Sequence, residues 1–319
     1  NWSLINQPGS LPGDARINDL ALHPENGDHL FLTCQYGVYQ SRDGGVNWQA
    51  TLAGLPHPHA RRIAICRDQP EVIYLTLHAE AHKQPWQGGV YRCGEGGKQW
   101  RACLEGLAQR VSKSGEARQR TYNYDRLLVH PSKPDIAYVG GDGWGNSKIY
   151  KTVDGGGSWQ DATHIVDRGW ITFNSASVKC LGMSPLDPEV LYWGSSMHVF
   201  KSTDGGATWN QRYGELLDDG RIRGSGLEVT CVLAVFVHPS DPDCLYFAYA
   251  DIGLLVSEDG GDTFRRCVEG IRNGVNQGPL AMAFDPDDPD RWWAAFGWGS
   301  TLGKVGVVAD STDRGRSWK

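Results

Sequence analysis

An eight-residue segment that recurs six times, a spacing of 50 to 59 residues between copies, and intervals filled only with short apolar runs together predict an all-β chain. The expected fold is a six-bladed β-propeller of four-stranded antiparallel blades. The copies read Ser41–Trp48, Cys93–Trp100, Thr152–Trp159, Ser202–Trp209, Ser257–Phe264 and Ser311–Trp318, with Ser/Thr-x-Asp-Gly-Gly-x-x-Trp as their common form. The Asp position falls at 43, 95, 154, 204, 259 and 313, giving spacings of 52, 59, 50, 55 and 54.

Each interval has the same order. An innermost run ends in His-Pro or Asp-Pro, as in Leu20-Ala-Leu-His-Pro24 and Leu127-Leu-Val-His-Pro131. A second run follows (30–32, 136–139), then a third that enters the repeated segment (37–41, 149–152). Gly, Pro and Asp separate the runs, and no stretch keeps a helical period. From Asp313 around to Asp43 is 49 residues, one further period. Asn1-Trp-Ser-Leu-Ile resembles Asn47-Trp-Gln-Ala-Thr, so the N-terminal strand is expected to complete the sixth blade and close a single domain over 1–319.

Composition agrees. There are 41 Gly and 13 Trp in 319 residues, without a collagen period, which suits many tight turns and a repeated structural aromatic. With 40% hydrophobic and 21% charged residues the chain is an ordinary globular one. No apolar run reaches the roughly 18 residues of a membrane helix, and a net charge of −6 argues against a nucleic-acid coat. The eight cysteines form no Cys-x-x-Cys pair and several sit in apolar runs, as buried thiols do, a disulfide being the alternative.

Ser-x-Asp-Gly-Gly-x-Thr-Trp is the Asp-box, and the chain resembles Asp-box β-propellers from end to end. That group includes sialidases, xyloglucanase-type glycoside hydrolases, sortilin-like receptors and a photosystem II assembly factor. The resemblance implies that the boxes are structural and lie in the turn between third and fourth strands, away from the face that binds ligands. Asp43, Asp154, Asp204 and Asp259 are then turn residues. His23, His130 and His238, each before Pro, read the same way.

A propeller binds at the mouth of its central channel, among the loops where this sequence leaves its repeat. Arg16, Arg61, Arg62, Arg126, Arg221 and Arg223 fall there, and guanidinium forks suit carboxylate, sulfate or phosphate. Acids and aromatics interleave with them. Asp19, Asp125, Asp142 and Glu228 are the candidate acid and base groups. Tyr122, Tyr124, Trp86, Trp144, Trp170 and Trp298 are candidate sugar platforms, with His82 as a further binding or proton-carrying group. Gly226-Leu-Glu-Val-Thr and Ala250-Asp-Ile-Gly resemble a stretch of the xyloglucanase-type hydrolases, which adds weight to Glu228 and Asp251. Those enzymes usually carry two seven-bladed domains, and their N-terminal catalytic segment has only a loose counterpart in Gly13–Asp19. The Arg-Ile-Pro of sialidases does not occur.

His78-Ala-Glu-Ala-His82 differs from the zincin order, so no metal is expected, and no phosphate or dinucleotide motif implies a cofactor. The expected activity is glycoside hydrolysis of an oligo- or polysaccharide, anionic ones included, with uronate lysis as a variant. The expected partner is the glycan alone, with no nucleic acid, no membrane and a monomeric chain. Secretion or a periplasmic address would follow from the glycan reading. The alternative is a non-catalytic scaffold for a protein or peptide, like the sortilin and photosystem-assembly relatives.

Overall fold

The computed structural model describes residues 9–79, 88–107, 109–110, 120–121, 123–142, 148–167, 178–195, 198–216, 222–224, 232–249, 253–262, 264–271, 278–296 and 307–319. Every regular element among them is a β-strand, and the architecture is a six-bladed propeller of small antiparallel sheets. Two compact units, Asn1–Asp161 and Ala162–Lys319, carry three blades each.

In the first unit, blade one consists of Ile17–His23, Asn26–Cys34, Gly37–Ser41 and Gln49–Ala50, paired antiparallel in chain order. Blade two repeats this with Ala60–Ile65, Ile73–Leu77, Gly89–Cys93 and Arg101–Ala102. Blade three does so with Asn123–Val129, Ala137–Asp142, Ile149–Thr152 and Gln160–Asp161. All five residues of Ile73–Leu77 are buried, because both faces of a middle blade pack on other blades. Phe31, Leu75 and Trp100 join one cluster between blades one and two, and Tyr74, Tyr150 and Trp159 join another between two and three.

In the second unit the order is kept in Val232–His238, Asp241–Tyr249, Gly253–Ser257 and Arg265–Arg266. The first blade there has Cys180–Met183, Leu191–Gly194, Val199–Ser202 and Trp209–Gln211, and departs from four strands. Ile165–Asp167 adds a fifth, parallel to Trp209–Gln211. The cause is local. Trp209 N–H bonds to His164 O at 2.9 Å, and the chain continues alongside for three residues. The last blade has Pro279–Phe284, Trp292–Phe296 and Val307–Ser311, with Lys319 exchanging backbone bonds of 2.9 and 3.0 Å with Asp310. The expected N-terminal closing strand lies outside the described residues.

The repeated turn shows why its residues are needed. Ser41 Oγ donates to Asp43 Oδ1 at 2.8 Å and accepts Gly45 N–H at 2.9 Å, while Asp43 also takes Asn47 N–H at 2.8 Å. Thr152, Ser202, Ser257 and Ser311 repeat the hydroxyl's role. Cys93 fills it with sulfur, accepting Gly97 N–H at 3.2 Å. The indoles then latch onto the preceding segment: Trp100 Nε1 donates to Thr51 O at 3.0 Å, Trp159 to Cys103 O at 3.0 Å, and Trp318 to Cys267 O at 3.2 Å. Gly106 closes one such contact. It has φ +79°, and a Cβ there would sit 2.0 Å from Trp159 O. The histidines before proline cap turns as expected, His130 Nδ1 accepting Ser132 and Lys133 N–H at 3.1 Å each.

Seven cysteines (34, 66, 93, 103, 180, 244 and 267) are buried, and burial pushes the Cys103 and Cys244 thiols up, Cys244 to about 11.

Candidate functional site

The innermost strands of the first unit are each interrupted where they meet the second strand. The register shifts between Ile17 and Asp19, between Ala60 and Ile63, and between Tyr124 and Arg126. Such bulges re-aim side chains. Here they release Asn18, the Arg61–Arg62 pair and Asp125. The same interruptions in the second unit fall at Leu233 and Leu280, between Val232 and Ala234 and between Pro279 and Ala281. Polar chemistry therefore gathers at the bulges of the first unit.

There it forms a continuous network over three blades. Arg61 grips Asp125 by two points, Nε to Oδ1 at 3.0 Å and Nη2 to Oδ2 at 2.9 Å. Arg62 donates Nε to Asp125 O at 2.9 Å and Nη1 to Asn18 O at 3.1 Å. Arg126 Nη1 also donates to Asp125 O. Asn18 Nδ2 donates to Ala60 O at 2.7 Å, and Thr33 Oγ1 to Arg61 O at 2.8 Å. Asp19 accepts Leu20 N–H at 3.0 Å on Oδ1 and Ile63 N–H at 3.1 Å on Oδ2, with Arg62 3.9 Å away. Burial raises its carboxyl above the usual range, against the opposing pull of the Ile63 amide and the Arg62 charge.

Beside this network lies a pocket of about 250 Å³ lined by Arg16, Asn18, Gln35, His59, Ala60, Arg61 and His78. Gln35 ties down the loop that carries Arg16, accepting Arg16 N–H at 2.6 Å and donating to Asp14 O at 2.9 Å. Asn123 Oδ1 accepts Ala79 N–H at 2.8 Å, which turns its amide nitrogen to His78 Nε2 at 3.0 Å. That bond makes Nε2 the acceptor and leaves the His78 proton on Nδ1.

Of the residues singled out in the sequence, Asp19, Asp125, Arg61, Arg62 and Arg126 come together in this network. Tyr124 is 1% exposed and meets Tyr150 edge-on at 5.8 Å in the core between blades two and three, so it is an interior packing residue there. Asp142 and Arg223 are placed by their backbones only, Asp142 opposite Asn123 and Arg223 opposite Glu215. Glu228, Arg221, Tyr122, Trp86, Trp144, Trp170, Trp298, His82 and Asp251 lie outside the described residues. Among the described residues no group of three His, Cys, Asp or Glu is placed to hold a metal. Asn18, Gln35 and His59 were not singled out in the sequence, because a bulge position leaves no mark in the apolar pattern.

No family model matches the chain. It is 27% identical over 218 residues to a xyloglucanase of Paenibacillus sp, covering 60% of this chain and 20% of that protein. To the xyloglucanase Xgh74A of Acetivibrio thermocellus it is 23% identical over 225 residues, 63% of this chain and 26% of the relative. The matched part thus spans about a fifth to a quarter of the relatives' length. Among solved structures, an ancestral GH74 enzyme aligns over 97% of this chain and 38% of its own, with TM-score 0.66 and 16% identity. YCF48 bound to D1 peptide aligns over 97% and 82%, with TM-score 0.60 and 17% identity. At such identities the solved structures share the fold with this chain.

Proposed function

We propose that this Asp-box propeller is a carbohydrate-active protein of the glycoside hydrolase kind, taking an oligo- or polysaccharide at the strand-entry edge of its first unit. The observation that carries the reading is Asp19, a half-buried carboxyl whose pKa is raised by burial, 3.9 Å from the Arg62 guanidinium and next in the chain to the pocket residue Asn18. A carboxyl whose pKa is raised by burial is suited to act as a general acid and give its proton to a leaving glycosidic oxygen. The second carboxylate would be Asp142, at the same edge in blade three, acting as base or nucleophile. Asp125 serves a different end, since both of its oxygens are held by Arg61. It fixes the guanidinium rather than exchanging protons. Glu228, Arg221, Arg223 and the aromatic residues Tyr122, Trp86, Trp144, Trp170 and Trp298, with His82, would extend binding along a chain of sugars.

Sequence likeness to xyloglucanases supports this reading over a peptide-binding scaffold. The scaffold reading draws on the YCF48 structure, a propeller of which the alignment covers 82%. Electrophoresis through gels impregnated with xyloglucan, pectic polymers or other glycans separates the two. Retardation in one polymer is expected, and migration unchanged in every gel would contradict the proposal.

A further inference from the structure

The contact between a box tryptophan and the segment leading into its blade follows one rule. Trp100 N–H donates to Ala53 O at 2.9 Å and its Nε1 to Thr51 O at 3.0 Å. Gly54, next in the chain, takes φ +88°, and a Cβ there would stand 2.1 Å from Trp100 O. Trp159 repeats this with Glu105 O, Cys103 O and Gly106, and Trp318 with Glu269 O, Cys267 O and Gly270. The added Cβ would stand 2.0 and 1.9 Å from the carbonyls of Trp159 and Trp318, so only glycine fits where the latch is closed. These three tryptophans are each 2% exposed.

Blade one carries the same parts in another arrangement. Gly9, at φ +84°, precedes the innermost strand Ile17–His23 as Gly54 precedes Ala60–Ile65 and Gly270 precedes Pro279–Phe284. Yet nothing lies within 4 Å of a Cβ built at Gly9. Trp48 is half-buried, and its Nε1 donates to Gly45 O at 2.9 Å, inside its own box. Residues 1–8 lie outside the described residues, and Asn1-Trp-Ser among them matches the Asn47-Trp-Gln that opens the segment before Gly54. The other end of this segment is tied to blade one, since Gln35 accepts Arg16 N–H at 2.6 Å and donates to Asp14 O at 2.9 Å. Docking of the part before Gly9 is then intramolecular, at a high effective concentration.

We infer that residues 2–8 of this chain are a strap that docks on the Trp48 box and closes blade one as the other latches close theirs. Pro8 O then takes Trp48 N–H and Asn6 O takes Nε1, the places of Ala53 and Thr51, and Gly9 lies against Trp48 O. Closing moves the indole off Gly45 O, so blade one has two arrangements, the open one of this structure and a strapped one. The exchange replaces one indole bond by another, adds the bond from Trp48 N–H and buries the indole, all of which favour the strap.

Hydrogen exchange of the Trp48 amide in the whole chain, read by NMR, tests this. The strap is expected to slow it at least about a hundredfold below an unbonded amide, toward the rates at Trp100 and Trp159. Gly9→Ala should restore fast exchange, because its Cβ would meet Trp48 O as one at Gly54 meets Trp100 O. Gly13→Ala, with nothing within 4 Å of the added carbon, should leave the Trp48 amide protected. The Trp159 amide in the same samples reports that the fold is intact. Backbone strain at residue 9 without a strap would leave exchange at Trp48 as it was, so the readout separates strain from docking. A Trp48 amide that exchanges as an unbonded one in the wild type, or whose protection survives Gly9→Ala, would overturn the strap. Protection that rises with protein concentration would overturn it too, since a second copy would then supply the segment.

Discussion

Arg61 and Asp125 join neighbouring blades by a two-point ion pair, with Nε–Oδ1 at 3.0 Å and Nη2–Oδ2 at 2.9 Å. The aspartate side chain is 12% exposed and the arginine 37%, so the pair lies between surface and interior. Asp125→Ala should destabilise the fold by about 1–3 kcal/mol, and the double variant with Arg61→Ala by less than the sum of the two. Chemical denaturation of the four proteins in a double-mutant cycle measures the coupling. Purely additive effects would mean that the contact holds nothing.

Asp19 gives the site a pH signature. Its folded pKa is raised above the unfolded value near 3.8, so the native state binds more protons than the unfolded one between the two values. The carboxyl's contribution is therefore full below the unfolded pKa and is lost as pH rises through the folded pKa. Asp19→Asn should flatten this part of the stability profile. Urea midpoints from pH 3.5 upward in both proteins test the sign, and a wild-type contribution that grew with pH would contradict it.

The turn aspartates act in the opposite direction. The Ser158 amide, with the Thr152 and Ser158 hydroxyls, holds Asp154 down to about 2, and the Asn47 amide lowers Asp43. Their stabilisation is present above the unfolded value near 3.8 and is lost as pH falls toward about 2. Asp154→Ala should lower Tm at pH 7 and narrow the gap to wild type on acidification. Glycan binding at the first-unit edge should not change.

Gly106→Ala should be among the most damaging single-methyl changes in the chain. The backbone is left-handed at φ +79°, and the new Cβ would meet Trp159 O at 2.0 Å, within the latch between blades two and three. A loss of about 2–4 kcal/mol is expected. Gly94→Ala, where nothing lies within 4 Å of the added carbon, is the control and should change stability by less than about 0.5 kcal/mol. Similar losses at both positions would remove the latch from the account.

The fold was legible in the sequence because its repeat is local chemistry. Ser41, Asp43 and the glycines write the turn within eight residues, and the indoles of Trp100 and Trp159 reach back to the chain leaving the preceding blade. Even the worn copy at Cys93 keeps an acceptor at the hydroxyl's position. The gathering of Arg61, Arg62, Arg126, Asp19 and Asp125 at one edge was legible too, since all precede or enter innermost strands. Their roles were not. A slip of one residue turns a side chain to the other face, and the bulges at Asn18, Arg61–Arg62 and Asp125 decide which groups meet. Thus Asp125 pairs with an arginine 64 residues away, and Tyr124, next to it, turns into the core. The fifth strand at Ile165–Asp167 depends on a tertiary contact with Trp209 that no local pattern encodes.

In the function proposed here, the propeller cleaves a glycan with Asp19 as its proton donor. The most direct test is reducing-end release, and absorbance of unsaturated uronate, from a panel of xyloglucan, pectic and other uronate polymers and sialosides. Wild type and Asp19→Asn would be compared after both are shown to be folded. Release from one polymer is expected with wild type, and at least about a hundredfold lower rate with the variant, the scale of a lost general acid. No release from any polymer by the folded wild type, or equal release by both proteins, would contradict it.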